Sequence, residues 1–137
     1  MPRVARWLIK TALVYLAAAL ALSVGRAGAE AALWVLPEHG IWISQLHAFT
    51  VGWLTQLIFG VAYWLFPRPH RHAPDSWTPV VWSAYGLLNV GLLLRLVFEP
   101  GWMHLPIRNE LLLAAALLQG LSGGLFVAYF WRRVRVK

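Results

Sequence analysis

The chain contains no cysteine, only five acidic residues and little charge of either sign. Without cysteine, disulfides, iron–sulfur ligation and thiolate chemistry are excluded. No Ser-His-Asp order, phosphate loop or carboxylate pair points to hydrolysis or phosphoryl transfer. Charged residues make up 12% of the 137 positions, against about 25% in a soluble domain. That deficit implies a membrane protein. Apolar residues dominate instead: 60% of the chain is hydrophobic, mean hydropathy is +0.61, and many of the nine Trp lie near predicted span ends. Interfacial anchors occupy such places. The formal charge of +7 does not imply nucleic acid, because the cations cluster at segment ends and no basic groove alternates with aromatics.

Four apolar runs predict an all-α, integral membrane four-helix bundle in one domain over 1–137, with spans at about 7–25, 41–66, 77–98 and 110–131. The basic opening, its apolar run and Ala27-Gly28-Ala29 also fit a signal peptide; the expectation is a retained first helix. Ala17, Ala21 and Gly25 form a small-residue ridge for close helix packing. The segment 26–40 reads as a connector, with AEAALWVL as a short interfacial helix. Pro67 and Pro69 end the second span, and PRPHRHAPD reads as a rigid hairpin. His70, His72 and Asp75 in it read as solvated loop. In the fourth span Ala116, Gly120, Gly124 and Ala128 repeat a small residue every fourth position. A contact inside the bundle is expected of them, with a subunit interface as the alternative.

Charge predicts orientation. With both termini on one side, that side carries Arg3, Arg6, Lys10, Arg68, Arg71, Arg132, Arg133, Arg135 and Lys137, while the other carries Arg26 and Arg108. Arg95 lies within a span. The positive-inside rule therefore places both termini in the cytoplasm, and the expected location is the inner (plasma) membrane, multi-pass.

From Ile41 to Phe66 there is no Asp, Glu, Lys or Arg, yet His47 lies about six residues inside, roughly 9 Å along a helix. An ionisable group within hydrocarbon marks a functional site by default. Helical periodicity sets His47 on a face with Ser44, Val51, Leu54, Ile58 and Leu65, opposite Gly52, Gln56 and Gly60. An imidazole above an aliphatic wall, with Arg95 nearer water to pair a propionate, suits haem. Equally open are a structural histidine bonded to a neighbouring helix and, for Arg95, a snorkelling cation paired with Glu99. Tyr85, Asn89, Gln119 and Ser122 read as interhelical hydrogen-bonding groups.

The string HAFTVGWLTQLIFGVAYWLFPR resembles the second transmembrane helix of subunit I of the haem–copper oxidase superfamily, in its cbb3-type oxidase and nitric-oxide-reductase branches. His47, Gly52-Trp53, Gly60, Tyr63 and Pro67 carry the likeness over about 22 residues. The resemblance implies that His47 is an axial ligand of a b-type haem near the outer face. The chain departs from that pattern at Gln45, where many relatives carry histidine, and it has no twelve-helix array or three-histidine copper site within the membrane. Oxygen or nitric oxide reduction by this chain alone is therefore not expected. A sixth ligand is sought first in His104, with a second subunit or an open gas-binding position as alternatives. Two other readings stand beside haem: a cofactor-free accessory subunit of a respiratory complex or homo-oligomer, and an outer-face copper or zinc site from His39, His47 and His104 with Glu38 or Glu99.

Overall fold

A computed structural model describes residues 1–34, 38–66, 77–101 and 105–134. Among them are four helical rods and no strand. Helix α1 is Arg3–Ala31. Helix α2 is one continuous rod in three parts: α-helical Glu38–His47, a π-helical stretch Ala48–Thr55, and α-helical Gln56–Leu65. Helix α3 is Thr78–Phe98 and α4 is Arg108–Val134. All four are long and apolar enough to cross a membrane, and only 17–28% of each one's most apolar stretch is buried. So much uncovered apolar surface is untenable in water and suits a multi-pass membrane protein.

The first helix runs further than its predicted end. It continues through Arg26 to Ala31, so 26–31 is helix and not connector. Alanine is the best helix former, and Arg26 is tied on both sides: Nη1 donates to Gln45 Oε1 at 3.3 Å, and Nη2 lies 3.9 Å from Glu30. The helix ends with Leu33 N–H on Glu30 O (3.2 Å) and Trp34 N–H on Ala29 O (3.0 Å). This is the paired-bond stop that usually places glycine in the left-handed region, here occupied by Leu33 at φ 57°. The other predicted spans agree with α2, α3 and α4 to within a few residues. Phe66, the residue before Pro67, is extended (φ −69°, ψ 133°), as a following proline ring requires.

Helix α1 packs chiefly on α2, and α3 on α4, with α2 also touching α3. The buried face of α1 includes Val4, Leu8, Ala12, Tyr15 and Ala19. The predicted ridge of Ala17, Ala21 and Gly25 is instead exposed, and a Cβ at Gly25 would meet nothing within 4 Å. Close packing falls to α2, as predicted for its Gly face: a Cβ on Gly60 would lie 3.0 Å from Leu8, and one on Gly52 would lie 2.6 Å from the Tyr15 ring. At one end the start of α1, the end of α2, the start of α3 and the end of α4 share a core that includes Val4, Leu8, Tyr63, Val81, Phe126 and Tyr129. Successive helices therefore alternate in direction, and the start of α1 and the end of α4, which carry Arg3, Arg6, Arg132 and Arg133, lie at this end.

Candidate functional site

The site is built on α2. Ala48, Gly52, Gln56 and Gly60 recur every fourth residue and are all buried. In a plain α-helix such a row would drift about 40° per step, some 120° over three steps. The wider π turns of Ala48–Thr55, closed by i→i+5 bonds, absorb that drift and hold the row against α1. Two threonines satisfy carbonyls along it: Thr50 Oγ1 donates to Leu46 O (2.7 Å) and Thr55 Oγ1 to Thr50 O (2.8 Å).

His47 is the last α-helical residue before this stretch and is half-buried. Its Nδ1 lies 2.9 Å from Ile43 O. A carbonyl only accepts, so Nδ1 donates; in the neutral imidazole this is the tautomer whose Nε2 keeps its lone pair. Metal-ligating histidines commonly have their second nitrogen fixed in this way. Because α2 starts near residue 38, His47 is about 14 Å along the rod. The aliphatic wall beyond it faces outward: Val51 is half-buried, and Leu54 and Ile58 are 43% and 55% exposed. Ser44, expected on the same face, belongs to the interhelical side at 1% exposure.

Arg95 is turned to its own helix. Its Nη1 donates to Glu99 Oε2 at 2.8 Å, with both side chains mostly covered (19% and 13% exposed). The guanidinium thus has a counter-ion already, as the Glu99 reading anticipated. His39 is exposed and eight residues from His47 on the same rod, about 12 Å apart in rise. Among the described residues no three of His, Cys, Asp and Glu converge. His104, His70 and His72, the 67–75 hairpin and the Glu38 side chain lie outside the described residues.

Several polar residues do work that the sequence did not assign. Arg108 closes the end of α3, with Nε on Phe98 O and Nη2 on Glu99 O, both at 2.8 Å. Arg133 is 2% exposed and closes the end of α2 through Tyr63 O (3.1 Å) and Phe66 O (3.2 Å). Its guanidinium also lies over the Tyr63 and Tyr129 rings, at 4.8 and 4.6 Å. Gln56, fully buried, donates to Thr11 Oγ1 across the α1–α2 contact. Of the expected interhelical bonds, Ser122 Oγ reaches Ala84 O (2.6 Å), whereas Asn89 bonds Tyr85 O within its own helix (2.8 Å). The Ala116–Gly120–Gly124–Ala128 row is exposed, and a Cβ on either glycine would meet nothing within 4 Å, so it is not a contact inside the bundle.

A groove of about 870 Å³ opens between the far halves of α1, α2 and α3, with Arg26, Trp34 and Ser44 among its lining residues. No family model, curated protein or solved structure matches the chain.

Proposed function

We propose that this protein is a haem-binding integral membrane protein, with both termini cytoplasmic, in which His47 Nε2 is an axial ligand of a b-type haem. The observation that carries the reading is the His47 geometry: an imidazole within an uncharged span, its tautomer set by Ile43 O, at the mouth of a π-helical stretch. Turns of that kind concentrate at functional sites. The donor chemistry fits one axial ligand. Val51, Leu54 and Ile58 offer an apolar face for the macrocycle, open toward lipid or a second subunit. A propionate would have to compete with Glu99 for Arg95, so Arg95 is at most a shared partner. Bound haem supplies one-electron chemistry or a gas-binding iron, which suits electron transfer, gas or redox sensing, or haem handling. Reduction of oxygen or nitric oxide by this chain alone is not part of the reading.

The test is an absorption spectrum of protein extracted from haem-replete membranes. The wild type should show a Soret band that His47→Ala abolishes and His39→Ala leaves in place. A colourless wild-type preparation sinks the reading. The exposed small-residue row on α4 favours a second one, a cofactor-free accessory subunit docked in a larger complex. It requires that Gly120→Leu release the chain from that complex while His47→Ala does not.

A further inference from the structure

The groove between α1, α2 and α3 has apolar walls and two unsatisfied polar atoms. Ser44 is 1% exposed, lines the groove, and its Oγ has no hydrogen-bond partner. Arg26 also lines it, and its Nε is buried without a partner. Both line the same groove, and Arg26 Nη1 donates to Gln45, the residue after Ser44. Its nominal counter-ion is weak: Glu30 is 3.9 Å away and 59% exposed, against 24% for Arg26. The groove thus holds a cation with incomplete neutralisation and an unpartnered N–H, together with an unused hydroxyl. Buried polar groups are normally satisfied, so both atoms call for an external acceptor.

Depth identifies what supplies it. Trp7 and Arg26 are separated by about 28 Å of helix, close to the roughly 30 Å of a hydrocarbon core. With the basic end at one interface, Arg26 lies at the other, at the level of lipid phosphates. The walls beneath it, Ala18, Ala21 and Gly25, descend into the leaflet, and Trp34 stands at the mouth. The groove's volume is within the roughly 300–1,000 Å³ of small-molecule sites. We infer that this groove binds an anionic phospholipid of the leaflet opposite the chain termini, phosphate on Arg26 and Ser44, one acyl chain along Ala18–Gly25. A planar guanidinium pairs phosphate through two parallel N–H bonds, which gives the charge complementarity. The inference does not depend on haem.

Native mass spectrometry of the detergent-solubilised full chain tests it, with phosphatidylglycerol and phosphatidylcholine of identical acyl chains. Expected is one retained phosphatidylglycerol per chain, with about tenfold preference over phosphatidylcholine. Arg26→Gln and Ser44→Ala should each erode that preference, and Gly25→Leu should block both lipids by filling the wall. Lys10→Gln, at the other end, should change nothing. If Arg26→Gln fails to fold, Ser44→Ala and Gly25→Leu carry the test. Equal retention of the two lipids by the wild type overturns the inference. So does a preference unmoved by Ser44→Ala and Gly25→Leu, or one lost as much in Lys10→Gln. Retention of a neutral isoprenoid quinone instead of phosphatidylglycerol also overturns it, as does displacement of the lipid by inorganic phosphate alone.

Discussion

Leu33 adopts a left-handed φ of 57° while its side chain is 90% exposed. That conformation costs a non-glycine residue about 1–2 kcal/mol. Glycine would remove the cost and add about 0.5–1 kcal/mol of chain entropy, so relief should win. Leu33→Gly is expected to raise the melting temperature in detergent modestly; a lower one contradicts the strained stop. Gly52 works in the other direction. A methyl there would press on Tyr15 and Leu92, and overpacking of that kind costs about 1–3 kcal/mol, so Gly52→Ala should lower the melting temperature. The glycine face of α2 was legible because Gly52, Gln56 and Gly60 recur every fourth residue. Arg133 was not. In sequence it is one of several terminal cations, and only its burial beneath Tyr63 and Tyr129 makes it a cap. Arg133→Lys keeps the charge but loses the planar fork. It should cost about 2 kcal/mol, read as thermal destabilisation larger than that of Arg132→Lys.

At the scale of elements, α2 departs most from a regular helix. Its π-helical stretch Ala48–Thr55 sets the rotation between the His47 face and the Gln56–Gly60 face. Deleting Phe49 should change that rotation by one residue's share of a turn, while helicity by circular dichroism stays nearly constant. Since the chain lacks cysteine, His47→Cys is a unique reporter. Its labelling rate by a membrane-permeant thiol reagent should change in the Phe49 deletion; an unchanged rate would show that the stretch does not set the face. Sequence periodicity missed this because it assumes one constant turn. The same assumption did no harm in α3, whose boundaries match the apolar run and where Pro79 opens the first turn.

For the whole molecule, alternating helices put the start of α1 and the end of α4 at the same end of the bundle. The proposed topology, from the positive-inside rule, has that end in the cytoplasm. Cysteine labelling tests the orientation: an impermeant maleimide should label Leu105→Cys in intact cells and Arg3→Cys only after lysis. The reverse pattern would invert the topology. The α4 small-residue row, Leu54 and Ile58 are all exposed and face away from the bundle. Any cofactor or subunit docked there is held from outside the four-helix core.

Composition and run length alone determine the class of this protein, because low charge and four long apolar segments admit few folds other than a membrane helix bundle. They also single out His47, since an imidazole in an uncharged span is costly wherever it points. Tertiary packing alone decides which faces are covered. Small-residue ridges on α1 and α4 look in sequence like those of α2, but the α1 and α4 glycines meet nothing within 4 Å whereas Gly52 and Gly60 of α2, and Gly91 of α3, press on a neighbouring helix. Likewise Arg26 became part of a groove only when α1 extended to Ala31, so that it lines the same groove as Ser44. Contacts between residues 19 or 70 positions apart depend on how the helices are arranged around one another, and local periodicity carries no record of that arrangement.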